Sequence, residues 1–110
     1  MASTLNVFKT VTASLTTSAA TLYTAPSGYT AVILMAQVSN VTNTKAQVTF
    51  SHFAGSTTTE LLKGFSVPAN DAVSATTGKL VLETGTSVKA SSDTESALKV
   101  TLSILETLNG

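Results

Sequence analysis

Along most of this chain, polar and apolar side chains alternate one by one, and helical spacing of apolar residues is almost absent. A repeat of two belongs to extended backbone, whose successive side chains point to opposite faces of a sheet. Leu5, Val7, Val11, Ala13 and Leu15 alternate with Asn6, Thr10, Thr12, Ser14 and Thr16, broken only at Phe8 and Lys9. At the other end Leu98, Val100, Leu102 and Ile104 alternate with Lys99, Thr101 and Ser103. Threonine and valine dominate these runs, and branching at Cβ fits them to a pleated surface.

Turn chemistry divides the alternation into short pieces. Residues 21–24 run into Ala25-Pro26-Ser27-Gly28, where proline presets the first corner and glycine closes the turn. Residues 29–40 make the strongest strand, with Val32, Leu34, Ala36 and Val38 on one face and Ile33 and Met35 on the other. Apolar residues on both faces mark a strand covered from two sides. Asn40-Val41-Thr42-Asn43-Thr44 then turns the chain back through residues 46–53, which predicts a β-hairpin. Further strands are expected at 60–63, ended by Gly64, then at 72–75, 79–83 and 87–90, with a polar loop at 91–95. The last strand slips phase at Leu105, which predicts a bulge or the end of pairing. Eight to ten short strands without a helix define an all-β class: a single antiparallel β-sandwich or a jelly-roll-like small barrel. Residues 1–20 are expected to be an N-terminal strand or arm able to pair with a neighbouring subunit, and 21–110 the sandwich domain. The longest apolar run, Ala31 to Ala36, has six residues, where a membrane helix needs about 20. With no cationic stretch ahead of a greasy one, a signal peptide is not expected.

The residues poorly equip the chain for chemistry. There is no cysteine, hence no disulfide, thiolate nucleophile or cysteine-held metal. Six lysines balance six acids, and arginine is absent, so the electrostatic footprint of a nucleic-acid binder is missing. His52, the single imidazole, shares a strand face with Val48 and Phe50 and reads as a core-rim residue. Asp93 and Glu95 lie in the polar loop without the spacing of a calcium loop. Serines are many, but none sits in a G-x-S-x-G turn, and the glycines are isolated rather than gathered into a phosphate loop. Six aromatics without tryptophan give a sugar-stacking platform little support. No catalytic, metal or cofactor site is assigned.

What the composition does point to is association. Charged residues make up 11% of the chain, against about 25% in ordinary soluble domains, and the net charge is zero. The deficit is filled by 21 threonines and 14 serines. A neutral hydroxyl coat costs little to desolvate and does not repel its neighbours. Leu5, Val7, Val11 and Leu15 on the first strand, with Ile33 and Met35 on the second face of the third, are therefore the candidate assembly contacts.

Tyr23-Thr24-Ala25-Pro26-Ser27-Gly28-Tyr29-Thr30-Ala31-Val32, followed by Gln37-Val38-Ser39-Asn40, resembles small virion structural proteins of tailed bacteriophages. The likeness continues through Val67-Pro68-Ala69-Asn70-Asp71, Lys79-Leu80-Val81-Leu82-Glu83-Thr84-Gly85 and Val100-Thr101-Leu102-Ser103-Ile104-Leu105-Glu106, covering residues 21–106. It rests on the texture of strands and turns and transfers no site residue. The resemblance implies a β-sandwich, no catalysis, and contacts with a major capsid protein or a tail or neck protein. Within that class the expectation is a homotrimeric capsid cement or decoration protein on the virion surface, made in the host cytoplasm, with no nucleic-acid or membrane partner. The alternatives are a neck or tail component and, outside virions, a surface adhesin or carbohydrate-binding module.

Overall fold

The computed structural model describes residues 6–76 and 78–109. Among the described residues nine strands are formed: β1 (Asn6–Ser14), β2 (Ala20–Thr24), β3 (Tyr29–Asn40), β4 (Ala46–Ala54), β5 (Thr57–Val67), β6 (Ala72–Ser74), β7 (Leu80–Leu82), β8 (Ser87–Ser92) and β9 (Leu98–Leu108). They make two antiparallel sheets, β1-β9-β3-β6 with β7 also on β3, and β2-β8-β4-β5. The pairs nest: β1 with β9, β2 with β8, β3 with β6 and β7, and β4 with β5 at the centre. With β6 and β7 counted as one interrupted strand, this is jelly-roll connectivity, which resolves the choice left open by alternation alone.

Local chemistry explains the corners. Tyr29 N donates to Pro26 O at 3.1 Å and Asp71 N to Pro68 O at 3.2 Å. The first turn therefore runs from Pro26 to Tyr29, one place later than the sequence implies, and the second from Pro68 to Asp71. The third position of each turn needs positive φ, supplied by Gly28 (φ 82°) and Asn70 (φ 57°).

Several expectations are corrected. The β3–β4 connection is no hairpin, because β3 lies in one sheet and β4 in the other. Its corner is fixed by Asn40, only 3% exposed. The Asn40 side-chain amide donates to Thr44 O at 2.8 Å and Val67 O at 3.0 Å, and its Oδ1 accepts from Thr42 N at 2.9 Å and Thr42 Oγ1 at 2.7 Å. All four bonds cross the gap between sheets or close the corner itself, so the chain leaves one layer for the other. The real hairpin is β4–β5, and β5 continues through Gly64, whose φ of 59° marks a bulge rather than a stop.

The apolar residues on both faces of β3 also have a local cause. Ile33 pairs with Ile104 and Met35 with Ser103, leaving Leu34 as an extra residue. Before this bulge Ala31 and Ile33 point inward; after it Ala36, Val38 and Asn40 do. One strand thus feeds the core from odd positions and then from even ones. In β9 the expected slip at Leu105 does not occur. Inward positions run evenly from Leu98 to Glu106, and pairing with β1 stays in register from Lys99 to Thr107. The core between the sheets holds Leu15, Ile33, Val38, Val48, Phe50 and Leu102, all 2% exposed or less.

Residues 6–14 form the expected N-terminal strand, which pairs with β9 of the same chain at nine successive positions and so is an edge strand of its own sheet.

Candidate assembly surface

Of the sequence-derived contacts, Leu5 lies outside the described residues. Val7 and Val11 take inward-facing positions on β1 opposite Glu106 and Leu102, and are half-buried because an edge strand has covering neighbours on one side only. Leu15 and Ile33 are enclosed by their own chain and leave the surface set, a correction that follows from the seating of β1 and the bulge of β3. Met35, 36% exposed, is thrown outward by that same bulge and is the residue of this group that a partner reaches most freely.

Several titratable side chains are spent on internal bonds. Glu106 is buried where β1 and β2 close the sandwich edge, and it accepts the Tyr23 hydroxyl and Lys9 Nζ, the latter at 3.2 Å. Burial of the phenol, the hydrogen bond to Glu106 and the charge of Glu106 all push the Tyr23 titration well above its usual range. A buried carboxylate is tolerable only with such donors. Sequence reading passed over Glu106 because Ile104-Leu105 looked like a phase slip. The available signal was the unbroken parity that puts position 106 inward after Leu98, Val100, Leu102 and Ile104.

Asp93 and Glu95 do not converge on a common point. Asp93 Oδ1 accepts Gln47 N at 2.9 Å, while Glu95 Oε1 accepts Thr17 N at 3.2 Å, so each closes a different loop. His52 sits half-buried on β4, paired with Val88 and Thr59. Among the described residues no group of three or more histidine or carboxylate side chains gathers to hold a metal ion. A shallow groove of about 250 Å³ lies at the other sandwich edge, between β5 and the β6–β7 region, lined by Leu61, Leu62, Ala75, Thr76, Lys79 and Leu80. Lysine is its single ionisable type, which supplies no acid–base pair.

Fold and surface together define a small jelly-roll sandwich whose polar side chains close turns and edges. By structure the chain is similar to a protein of Bacillus endospore appendages, which form a novel family of disulfide-linked pili. The TM-score is 0.58 at 13% identity, covering 96% of this chain and 88% of that one. It is also similar to a protein of the T13 IBDV viral particle, with a TM-score of 0.55 at 11% identity, covering 98% of this chain. There it spans about a third of the other chain's length, 32%. At such identities the likeness is one of fold. No protein-family model matches the sequence, and no curated protein does.

Proposed function

We propose that this chain is a non-enzymatic structural protein that works by being covered by other polypeptides in an assembled particle, and specifically a cement or decoration protein of a phage head. The observation that carries the reading is the division of labour among its side chains. The carboxylates of Asp71, Asp93, Glu95 and Glu106 and the buried Asn40 amide are committed to internal bonds, while hydroxyls predominate among the outward-facing positions of β1 and β9. Such a coat yields its water cheaply and leaves no reactive constellation. The sequence resemblance to phage virion proteins and the fold likeness to proteins of a viral particle and a pilus support it. Its partners would be copies of itself and the major capsid protein.

The mechanism is mass action. A protein that binds only the assembled shell stabilises that shell, and many modest contacts sum over a lattice. Co-sedimentation with purified assembled phage heads tests this: saturable, stoichiometric recovery with the heads is expected, and recovery no greater than with an inert protein overturns it. A filament subunit is the second reading, favoured by the match to nearly the whole of the appendage protein. It would need another link than disulfides, since this chain has no cysteine. Negative-stain microscopy of concentrated protein separates the two readings.

A further inference from the structure

The outer face of the β1-β9-β3-β7 sheet carries a continuous apolar row. Phe8 pairs with Leu105, Leu105 with Val32, and Val32 with Val81, so four apolar side chains cross the sheet from one edge strand to the other. Phe8 is 74% exposed and Val81 55%, and Leu34 and Met35 extend the patch along β3 at the bulge. Isolated exposed apolar side chains are ordinary, but a row spanning every strand of one face is not. The second sheet lies on the opposite side, so the described chain has no layer of its own to cover this row.

We infer that this face docks on the same face of a second copy, sheet against sheet. The inference rests on the reading of the chain as an assembly protein and names the surface it uses. Two features select a copy as the occupant. The first is charge: outside the row, the outward positions on these strands are chiefly Thr10, Thr12, Ser103, Thr101, Gln37 and Ser39. The one charge in those strands that faces outward is Lys99, at one end, with its Nζ 3.3 Å from Ser14 Oγ. A foreign partner is usually chosen by complementary charge, which this face does not offer, whereas two neutral copies meet without repulsion. The second is area. β9 has 11 residues, and a face of that length, four strands wide, covers about 700 Å² at ordinary strand spacings. A stable interface buries roughly 600–1,000 Å² on each partner. A two-fold pairing of the whole face therefore reaches the required size, with apolar row on apolar row.

Sedimentation velocity over a concentration series tests this on the full chain, comparing wild type with Phe8→Lys/Val81→Lys and with Thr21→Lys, which puts a single lysine on the outer face of the other sheet. Circular dichroism melting confirms that each variant is folded; all the altered side chains are exposed. Wild type and Thr21→Lys are expected to dimerise alike, with the double variant's dissociation constant raised at least about a hundredfold by lysines set into an apolar seam. A monomeric wild type at all concentrations, or equal association of the double variant, overturns the inference. Either result leaves the cement reading standing or falling on its own head-binding assay, where the double variant is expected to bind heads if the heads use another surface.

Discussion

Replacing Asn40 by alanine tests the corner that sends the chain from one sheet to the other. The side chain is 3% exposed and takes part in four hydrogen bonds, two given by its amide and two received by its oxygen. The bond to Val67 O is fully buried, and the other three are partly so. A protein hydrogen bond contributes about 1 kcal/mol net, and a buried group left without its partner costs about 1–3 kcal/mol. Alanine offers no donor to Val67 O or Thr44 O and no acceptor to Thr42, and its smaller volume leaves space at the layer boundary. The expected loss is about 3 kcal/mol. Unfolding entropy near 2.1 cal/mol/K per residue makes each kcal/mol worth about 4 °C in a chain of 110 residues, so Tm should fall by about 12 °C. Urea unfolding followed by far-ultraviolet circular dichroism measures it. Asn43→Ala is the control, because Asn43 offers one exposed acceptor to Asn70 Nδ2 at 3.2 Å, and should cost under about 0.5 kcal/mol. A loss below about 1 kcal/mol for Asn40→Ala refutes the idea that this amide staples the sheets together.

Three further outcomes follow from the same geometry. Leu15→Ala should destabilise the fold by about 3 kcal/mol in urea, since the side chain is 2% exposed; a surface-sized effect would return Leu15 to the candidate contacts. The folded chain holds the Tyr23 proton more tightly than the unfolded chain, whose phenol titrates at about 10. That contribution is complete below the unfolded value and is lost as pH climbs toward the folded one, because unfolding then releases a proton. Between pH 9 and 11 the wild-type urea midpoint should therefore fall more steeply than that of Tyr23→Phe, and equal slopes would contradict the shift. Gly64→Ala should cost about 1 kcal/mol through its backbone alone, because φ is 59° while an added Cβ would lie 3.6 Å from Gln47 Oε1. An unchanged urea midpoint would show that β5 does not need the bulge.

Strands and turns were legible because both are local. Alternation located β3, β4 and β9 closely, and the Pro26 turn announced its corner within a residue. Sheet membership was not legible, because alternation tells which face of a strand is buried and not which strand lies beside it. The β3–β4 connection looked like a hairpin for that reason, and Asn40, read as a turn residue, proved to be the bond between layers. Leu34 hid a change of phase that made one strand look apolar on both sides. Ile33 consequently read as a surface contact when it is core, whereas Met35 emerged exposed. The Phe8–Leu105–Val32–Val81 row was out of reach altogether, since it exists only once four strands distant in sequence share a register.

Hydroxyl-radical footprinting of the chain, dilute and then concentrated or head-bound, asks most directly whether this slab of sheet exists to be covered. Phe8 and Met35 report the outer face of one sheet, and Phe65, 46% exposed on β5, reports the far edge of the other. The account predicts that labelling of Phe8 and Met35 falls severalfold in the assembled state while Phe65 is labelled as before. Equal labelling of all three in the dilute, concentrated and head-bound samples would contradict it.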